Sequence, residues 1–198
     1  MTKIKFCGLK TADDISFANE LSPEYVGFVF APKSKRYVTP AQAEKLHAAL
    51  SEKICAVGVF VNENVQTVAE LLNAGIIDAA QLHGSEGDDY IQNLRGLTNK
   101  IIIQAFQIGN VAAADKSLAD FILIDSGAGG GQTFDWTLIK NLRREYFLAG
   151  GLNPENVGDA IKILKPFAVD VSSGIETDGK KDFDKMAAFA KAVRKDFL

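Results

Sequence analysis

Short apolar runs alternate with amphipathic segments along all 198 residues of the chain. Eight of the apolar runs are rich in Val, Ile and Phe, and their length predicts β-strands. They lack a strict alternation of apolar and polar positions, which is typical of parallel strands that are buried on both faces. The predicted strands are Lys3–Gly8, Tyr25–Phe30, Ile54–Val61, Ala79–Gly84, Ile101–Phe106, Phe121–Ser126, Tyr146–Gly151 and Ala168–Gly174.

A helix-like segment follows each predicted strand. The last of these segments, Phe183–Phe197, repeats its apolar residues at helical spacing. Thr11, Thr39 and Asn153 each stand where the chain enters such a segment, the last two directly before a proline. Because Thr and Asn side chains accept hydrogen bonds from first-turn amides and proline suits that turn, each is predicted to start a helix.

Eight successive strand–helix units are the count of a (βα)8, or TIM, barrel, whereas a doubly wound open sheet usually has about five or six strands. We therefore predict an α/β fold in which residues 1–198 form a single compact (βα)8-barrel domain. A chain of this length is near the lower limit for the fold. Since the active sites of such barrels lie at the C-terminal ends of the strands, the catalytic residues are expected there.

Composition excludes several classes of partner. The formal net charge of −3 at pH 7 argues against a nucleic-acid-binding surface, which usually carries a basic excess. Two cysteines are too few for a disulfide framework and favour reduced thiols in a cytoplasmic protein. No signal peptide is evident after Met1, and no apolar run approaches the roughly 18 residues of a membrane span. We expect a cytoplasmic enzyme that acts on a small-molecule substrate.

Two glycine-rich strand ends predict a phosphate site. Strand seven ends at Gly150-Gly151, and strand eight ends at Ser173-Gly174. Loops seven and eight of many barrels bind a phosphate, and glycine lets backbone amides approach it closely. The alternative is that these glycines only form tight turns. The presence of both pairs on adjacent strands of the predicted barrel favours phosphate binding.

Cys7 ends strand one and Asp125 ends strand six, so both side chains are expected to face a substrate in the barrel mouth. A thiolate removes protons and a carboxylic acid delivers them. Cys7 needs a setting that favours its thiolate, because the ordinary pKa of a thiol is about 8.5. The alternatives are a buried apolar cysteine and an aspartate that caps loop six. Cys55 begins strand three at the opposite end of the barrel and is interpreted as structural.

Three further features are candidates for the site. The guanidinium of Arg36 in loop two is suited to bind a substrate carboxylate, although composition alone favours a solvated basic loop. His83 ends strand four and either assists acid–base chemistry or is a structural histidine. The run Gly127–Gly131 is long enough to be a mobile loop over the mouth, or it is a flexible linker. No His, Cys, Asp or Glu cluster has the spacing of a metal site.

Seven motifs occur in order along the chain, and each alone is a weak signal. They are Lys5–Leu9, Gly27–Phe30 with Ser34 and Arg36, Val57–Asn62, Gln81–Gly84, Gly131–Trp136, Leu148–Leu152 and Asp170–Glu176, with Gly179–Asp182 soon after. In their order and spacing they resemble the motifs of the phosphoribosylanthranilate isomerase family, over essentially the whole length of the chain.

The resemblance implies an Amadori rearrangement of N-(5-phosphoribosyl)anthranilate to 1-(2-carboxyphenylamino)-1-deoxyribulose 5-phosphate in tryptophan biosynthesis, without a cofactor or a metal. It implies that Asp125 is the general acid on the furanose ring oxygen and that Cys7 is the general base on C2. Arg36 corresponds to the contact with the anthranilate carboxylate, and Gly150–Gly151 and Ser173–Gly174 correspond to the phosphate cradle. A monomer or a weak homodimer is expected.

Three other interpretations stay open at this point. The sugar-phosphate isomerase of histidine biosynthesis runs the same chemistry, but it is expected to carry an acidic residue in place of Cys7. A non-catalytic barrel that binds a phosphate ligand predicts that Cys7 and Asp125 are dispensable. A redox role for Cys7 is disfavoured, because no resolving cysteine stands at an adjacent motif position.

Overall fold

The computed structural model describes residues 1–125, 139 and 142–195 of the chain. Within these residues, eight parallel strands pair in sequence order, and the last pairs with the first to close a barrel. The predicted (βα)8-barrel architecture is thereby confirmed. The strands are β1 (Lys3–Cys7), β2 (Tyr25–Val29), β3 (Cys55–Phe60), β4 (Ala79–Leu82), β5 (Ile101–Gln107), β6 (Phe121–Asp125), β7 (Tyr146–Ala149) and β8 (Ala168–Val171).

Within the described residues, helices follow β1 to β5, β7 and β8, and a small hairpin stands between β8 and the last helix. The hairpin pairs β9 (Glu176–Thr177) with β10 (Lys180–Lys181) in antiparallel fashion, and the pattern of apolar residues did not predict it. The described helices are α1 (Ala12–Leu21), α2 (Pro40–Ala48), α3 (Val65–Asn73), α4 (Asp88–Leu97), α5 (Val111–Ala114), α6 (Val157–Leu164) and α7 (Phe183–Arg194).

Several strands end earlier than their apolar runs suggested. The prediction that strand eight reaches Gly174 was wrong, because the chain turns into a short 3-10 helix at Ser173–Ile175. Strand seven stops before Gly150, whose φ of 91° is incompatible with an extended strand. His83 lies just beyond β4 in the following loop. The shorter strands leave these polar and glycine residues free to shape the loops at the barrel mouth.

Two of the three predicted helix starts are confirmed. Thr11 and Thr39 each cap a helix by accepting a hydrogen bond from the amide three residues later. The prediction for Asn153 was wrong, because α6 begins only at Val157. The Asn153 side chain instead accepts hydrogen bonds from the amides of Glu155 and Asn156, and so caps a separate turn that precedes the helix.

The two faces of the strands are buried in separate layers, as expected for parallel strands covered by helices. On the outer face, Phe6 of β1 packs edge-on against Phe189 of α7 at a ring distance of 6.3 Å. On the inner face, Val57, Ile103 and Phe147 belong to a second apolar cluster that fills the barrel. A filled interior means that a ligand can enter only the mouth of the barrel.

Some predicted features lie outside the described residues. These are Ser126, the glycine run Gly127–Gly131, the motif Gly131–Trp136 and the end of the last predicted helix at Phe197. No helix in the described part of the chain has the length and hydropathy of a membrane-spanning segment.

Candidate active site

A cavity of about 290 Å³ opens where the barrel strands reach their C-terminal ends. This volume is at the lower end of the range of small-molecule sites. Its walls come from six of the eight strands and from the loops after β7 and β8. The lining residues are Cys7, Val59, Gln81, His83, Asp125, Ala149, Gly150, Gly151, Leu152, Asp170, Val171, Ser172 and Ser173.

The Cys7 thiol is buried in the wall of this cavity. Gly27, the partner of Cys7 on β2, leaves room for the sulfur, because a Cβ at this position would lie 2.7 Å from Sγ. The carbonyl of Cys7 accepts a hydrogen bond from Ser172 Oγ at 3.0 Å, which ties the end of β1 to the loop after β8. Cys7 is therefore flanked by Gly27 on β2 and anchored through its backbone to the loop after β8.

Below Cys7, the barrel interior contains an ion pair. The register of β1 and β8 sets Lys5 opposite Asp170, and Lys5 Nζ lies 2.9 Å from Asp170 Oδ1. Lys5 and Cys7 are two residues apart on one strand, so both side chains point into the barrel. Burial by itself lowers the pKa of Lys5, but the charges of Asp170 and Cys7 outweigh this and raise it. A permanent positive charge thus lies beneath the thiol.

The protonation of Cys7 differs from the thiolate-favouring setting that was expected. Burial raises the pKa of the Cys7 thiol and outweighs the charge of Lys5, which lowers it. Among the smaller effects, Asp170 raises this pKa and Lys181 lowers it. Without substrate, the cavity therefore favours the thiol, and the two lysines reduce the free-energy cost of forming a thiolate.

Asp125 faces the cavity from the end of β6, next to Ala149 of β7. His83 Nε2 lies 3.4 Å from Asp125 Oδ2. On the other side of the imidazole, Gln81 Nε2 donates a hydrogen bond to His83 Nδ1 at 2.8 Å. This bond leaves the ring proton on Nε2, where it faces the carboxylate. The Gln81–His83 pair thus orients Asp125 within the cavity.

The loops after β7 and β8 meet through their backbone atoms, without side chains between them. Gly150 and Gly151 have φ values of 91° and 64°, which glycine adopts without strain. Asn156 Nδ2 donates to the Gly151 carbonyl at 3.0 Å and holds this loop. A Cβ on Gly174 would lie 2.0 Å from the Leu152 carbonyl oxygen, so that position also requires glycine. Such a backbone surface is suited to an anion, because amides can surround it closely.

Arg36 is held by a carboxylate before any ligand arrives. Its Nε donates to Glu176 Oε1 at 2.6 Å, and its Nη2 donates to Glu176 Oε2 at 2.7 Å. Lys181 Nζ donates to the same Oε1 at 2.8 Å. Burial would raise the pKa of Glu176, but these two cations outweigh it and lower the pKa to about 2. Glu176 is therefore a carboxylate at any physiological pH.

The structure brings most of the predicted site residues into one cavity. Arg36 and Gly174 do not line it, although Gly174 supports the wall by packing against the loop after β7. The six predicted residues that line the cavity are Cys7, His83, Asp125, Gly150, Gly151 and Ser173.

Sequence reasoning missed five polar residues near the cavity. A signal for three of them was present, because Lys5, Gln81 and Asp170 stand inside apolar strands, where charged and amide side chains are uncommon. The other two, Glu176 and Lys181, lie within the motifs of the family resemblance, but nothing local indicated a role for them. Their partners are remote along the chain or belong to a hairpin that was not predicted.

The chain matches the family model described as N-(5'phosphoribosyl)anthranilate (PRA) isomerase over residues 4–192. It is 41% identical to the N-(5'-phosphoribosyl)anthranilate isomerase of Endomicrobium trichonymphae, over 98% of this chain and 99% of that protein. It is 43% identical to the protein of the same name from Thermoanaerobacter sp. (strain X514), over 98% of each. The similarity therefore extends over nearly the full length of both relatives.

Solved structures resemble the chain over the same length. The crystal structure of phosphoribosyl anthranilate isomerase from Thermotoga maritima matches with a TM-score of 0.88 and 36% identity, covering 98% of this chain and 100% of that chain. A crystal structure of phosphoribosyl anthranilate isomerase in complex with reduced 1-(o-carboxyphenylamino)-1-deoxyribulose 5-phosphate matches with a TM-score of 0.86 and 36% identity, at the same coverage.

Proposed function

The chain belongs to the N-(5'-phosphoribosyl)anthranilate isomerase family, and we propose that the cavity at the barrel mouth is where it performs this reaction. The activity is an aldose–ketose isomerisation of phosphoribosylanthranilate in tryptophan biosynthesis. One observation supports the site above all: Cys7 and Asp125 line a single cavity together with the glycine-rich loops after β7 and β8. The site thus offers a base, an acid and a surface for the phosphate.

Asp125 acts first, as the general acid. Its protonated carboxyl gives a proton to the furanose ring oxygen, and the bond between C1 and that oxygen breaks. The lone pair of the anthranilate nitrogen forms the new C1=N bond, which gives a Schiff base. His83 supports this step, because its Nε2 lies 3.4 Å from Asp125 Oδ2 and holds the carboxyl in one orientation.

Cys7 acts second, as the general base. Its thiolate removes the proton from C2, the C–H electron pair forms a C1=C2 bond, and the C=N electrons move to nitrogen. The resulting enolamine loses its enol proton and gains one at C1, which gives the ketone. Lys5 and Lys181 place positive charge near the sulfur and lower the pKa of Cys7 against the effect of burial.

The acid and the base need only one proton between them. The resting pair of thiol and carboxylate holds the same number of protons as the reactive pair of thiolate and carboxylic acid. Moving a proton from the thiol to the carboxylate changes no net charge. The raised pKa of Cys7 is compatible with its role, because the proton that the thiol gives up equals the one that the carboxyl delivers.

The two charged ends of the substrate bind outside this pair. The phosphate binds in the loops that contain Gly150, Gly151, Ser173 and Gly174, where backbone amides approach an anion without side-chain obstruction. The anthranilate carboxylate binds Arg36, whose guanidinium forms bidentate hydrogen bonds with planar anions. The ribose then lies between Cys7 and Asp125.

Substrate fluorescence gives a direct test of the function. Purified protein added to phosphoribosylanthranilate should accelerate the decay of anthranilate fluorescence well beyond the spontaneous rate. The product should appear in equal amount as 1-(o-carboxyphenylamino)-1-deoxyribulose 5-phosphate by chromatography. Decay at the rate of buffer alone, from protein shown to be folded by circular dichroism, would reject the function.

We expect Arg36→Met to discriminate between substrates with and without a carboxylate. Hydrogen bonds to charged groups contribute about 1.5–3 kcal/mol, so kcat/KM for phosphoribosylanthranilate should fall by about 10- to 100-fold. For the decarboxylated analogue, N-(5-phosphoribosyl)aniline, kcat/KM should change by less than about twofold. Steady-state kinetics with both compounds measure the difference.

Lys33 offers a matched control for Arg36, because it lies in the same loop and its side chain is exposed. Lys33→Met should leave kcat/KM for both compounds unchanged. If Arg36→Met weakened both compounds equally, Arg36 would have no role in binding the carboxylate.

The alternatives from the sequence are less well supported than this function. The match over residues 4–192 favours the anthranilate isomerase over the histidine-pathway isomerase.

The cytoplasm, where reduced thiols persist, is the expected compartment. We expect a monomer or a weak homodimer, whereas one related crystal structure concerns monomers generated from the dimeric Thermotoga maritima protein. Sedimentation of the purified chain over a range of concentrations decides between these states.

A further inference from the structure

The hairpin after β8 carries two buried charged residues, of which Lys181 contributes its charge to the setting of Cys7 and Glu176 has no direct part in the reaction. The side chains of Glu176 and Lys181 are only 7% and 2% exposed. They are partners across β9 and β10, and Lys181 Nζ lies 2.8 Å from Glu176 Oε1. Burying two charged groups costs free energy that their pairing only partly offsets. This pair is therefore expected to contribute something other than stability.

The contacts of Arg36 indicate what the Glu176–Lys181 pair contributes. Glu176 occupies one edge of the guanidinium, the edge formed by Nε and one Nη2 proton. A guanidinium has five N–H donors, so the adjoining edge still offers one Nη1 proton and the second Nη2 proton. That edge accepts a second carboxylate in bidentate fashion while Glu176 keeps the first.

A glycine places this guanidinium beside the base. A Cβ on Gly8 would lie 2.3 Å from Arg36 Cδ and 3.3 Å from Arg36 Cγ, so the stem of Arg36 lies against the bare backbone that follows Cys7. Gly8 has a φ of 80°, which also favours glycine. Arg36 is thus fixed at two points, its stem on Gly8 and its head on Glu176.

We propose that Glu176 and Lys181 are positioning residues that hold the Arg36 guanidinium with its free edge toward the cavity, and so select substrates whose aromatic amine carries a carboxylate. The proposal rests on the proposed function of the cavity and of Arg36. Glu176 acts on the substrate only through Arg36, and Lys181 positions Arg36 through Glu176, in addition to placing its charge near Cys7.

Charge balance supports this arrangement. Arg36 and Lys181 surround one carboxylate, so the cluster carries one excess positive charge before substrate binds. A carboxylate on the free edge of Arg36 neutralises the cluster, whereas an uncharged aniline leaves the excess charge unpaired. A lone arginine without Glu176 would also attract a carboxylate, but its long side chain would lose more conformational entropy on binding.

Lys181 connects the cluster to the catalytic end of β1. Its Nζ donates to the Ser172 carbonyl at 2.9 Å, and Ser172 Oγ donates to the Cys7 carbonyl at 3.0 Å. The hairpin therefore fixes the carboxylate-binding arginine and the base relative to each other. Such a fixed distance is useful in this reaction, because binding of the substrate carboxylate must align the C2 proton with Cys7.

Three variants test the proposal: Glu176→Gln, Lys181→Met and the double variant Glu176→Gln/Lys181→Met. The Gln amide group would present donors to the guanidinium donors, so the bidentate contact is lost. The double variant removes both buried charges and leaves neither unpaired, which protects the fold if a single variant unfolds. Lys180→Met is the matched control, because Lys180 is the exposed neighbour of Lys181 on the same hairpin strand.

Binding and turnover are measured separately. Calorimetry gives Kd for reduced 1-(o-carboxyphenylamino)-1-deoxyribulose 5-phosphate and for the same compound without its carboxyl group. We expect Glu176→Gln and the double variant to raise Kd for the carboxylated compound by about tenfold, and Kd for the other by less than about twofold. KM for phosphoribosylanthranilate should rise similarly in Glu176→Gln, while kcat of this variant falls by less than about threefold, because Lys181 keeps its charge near Cys7.

Combination with Arg36→Met separates positioning from a general structural role. Glu176→Gln should cause no further loss in the Arg36→Met background, because residues that act through one another are not additive. Equal weakening of both compounds, or a loss that adds fully to that of Arg36→Met, would overturn the proposal. Absence of turnover in the unmodified protein would instead reject the proposed function, and the Kd values would still report on the positioning role.

Discussion

Replacing Cys7 with alanine is expected to remove nearly all turnover while the barrel stays folded. A positioned general base contributes about 10²–10⁴-fold, and kcat should fall by at least that factor because the cavity holds no second thiol. Cys7→Ser should be almost as poor, since a serine hydroxyl is a far weaker acid than a thiol and supplies almost no anion to act as the base. Steady-state kinetics at saturating phosphoribosylanthranilate measure the loss.

Cys55 provides a matched control. It is the other cysteine of the chain, and it begins β3 at the far end of the barrel, where burial raises its pKa to about 12. Cys55→Ala should leave kcat unchanged within about twofold. Thermal unfolding followed by circular dichroism verifies that the Cys7 variants are folded. Near-normal turnover in Cys7→Ala would exclude the thiol as the base.

Replacing Asp125 should cause a loss of similar size through a different step. Asp125→Asn keeps the size of the side chain but has no proton to give to the ring oxygen, so kcat should fall by about 10²–10⁴-fold. Asp125→Ala should be at least as severe. Asp159→Asn serves as a control, because this aspartate is exposed on α6. Full activity in Asp125→Asn would mean that another group opens the ring.

Deuterium at C2 of the substrate distinguishes the two roles. In Asp125→Asn, ring opening becomes rate-limiting, so deuteration should not change kcat. In Cys7→Ser, removal of the C2 proton becomes rate-limiting, so deuteration should slow the residual turnover several-fold. The opposite pattern would interchange the roles of the acid and the base.

The residues predicted at strand ends show why the local sequence pattern identified part of the site. Cys7 and Asp125 were found because each is a reactive side chain at the end of an apolar run, and the barrel rule places such ends at one face. The glycine pairs after strands seven and eight were found for the same reason. The prediction needed only the order of the elements, and the structure places all of these except Gly174 in the lining of one cavity.

The burial and the charged neighbours of those residues could not be predicted in the same way. Cys7 was expected in surroundings that favour its thiolate, yet its depth in the barrel wall raises the pKa of the thiol despite two nearby lysines. Arg36 was identified as a carboxylate ligand, but its partner Glu176 was not. Burial and pairing depend on which strands become neighbours, and no local window contains that information.

The sequence by itself determined the succession of strands and helices, and with it the closed barrel and the positions of Cys7 and Asp125 at the mouth. The spacing of apolar residues and the residue types at strand ends are local properties, so they can be recognised in the sequence alone. Only the tertiary structure decided the pairs Lys5–Asp170 and Arg36–Glu176, whose members are 165 and 140 residues apart. Closing β8 onto β1 brings these charges together, because a parallel barrel joins the two ends of the chain that the sequence keeps farthest apart.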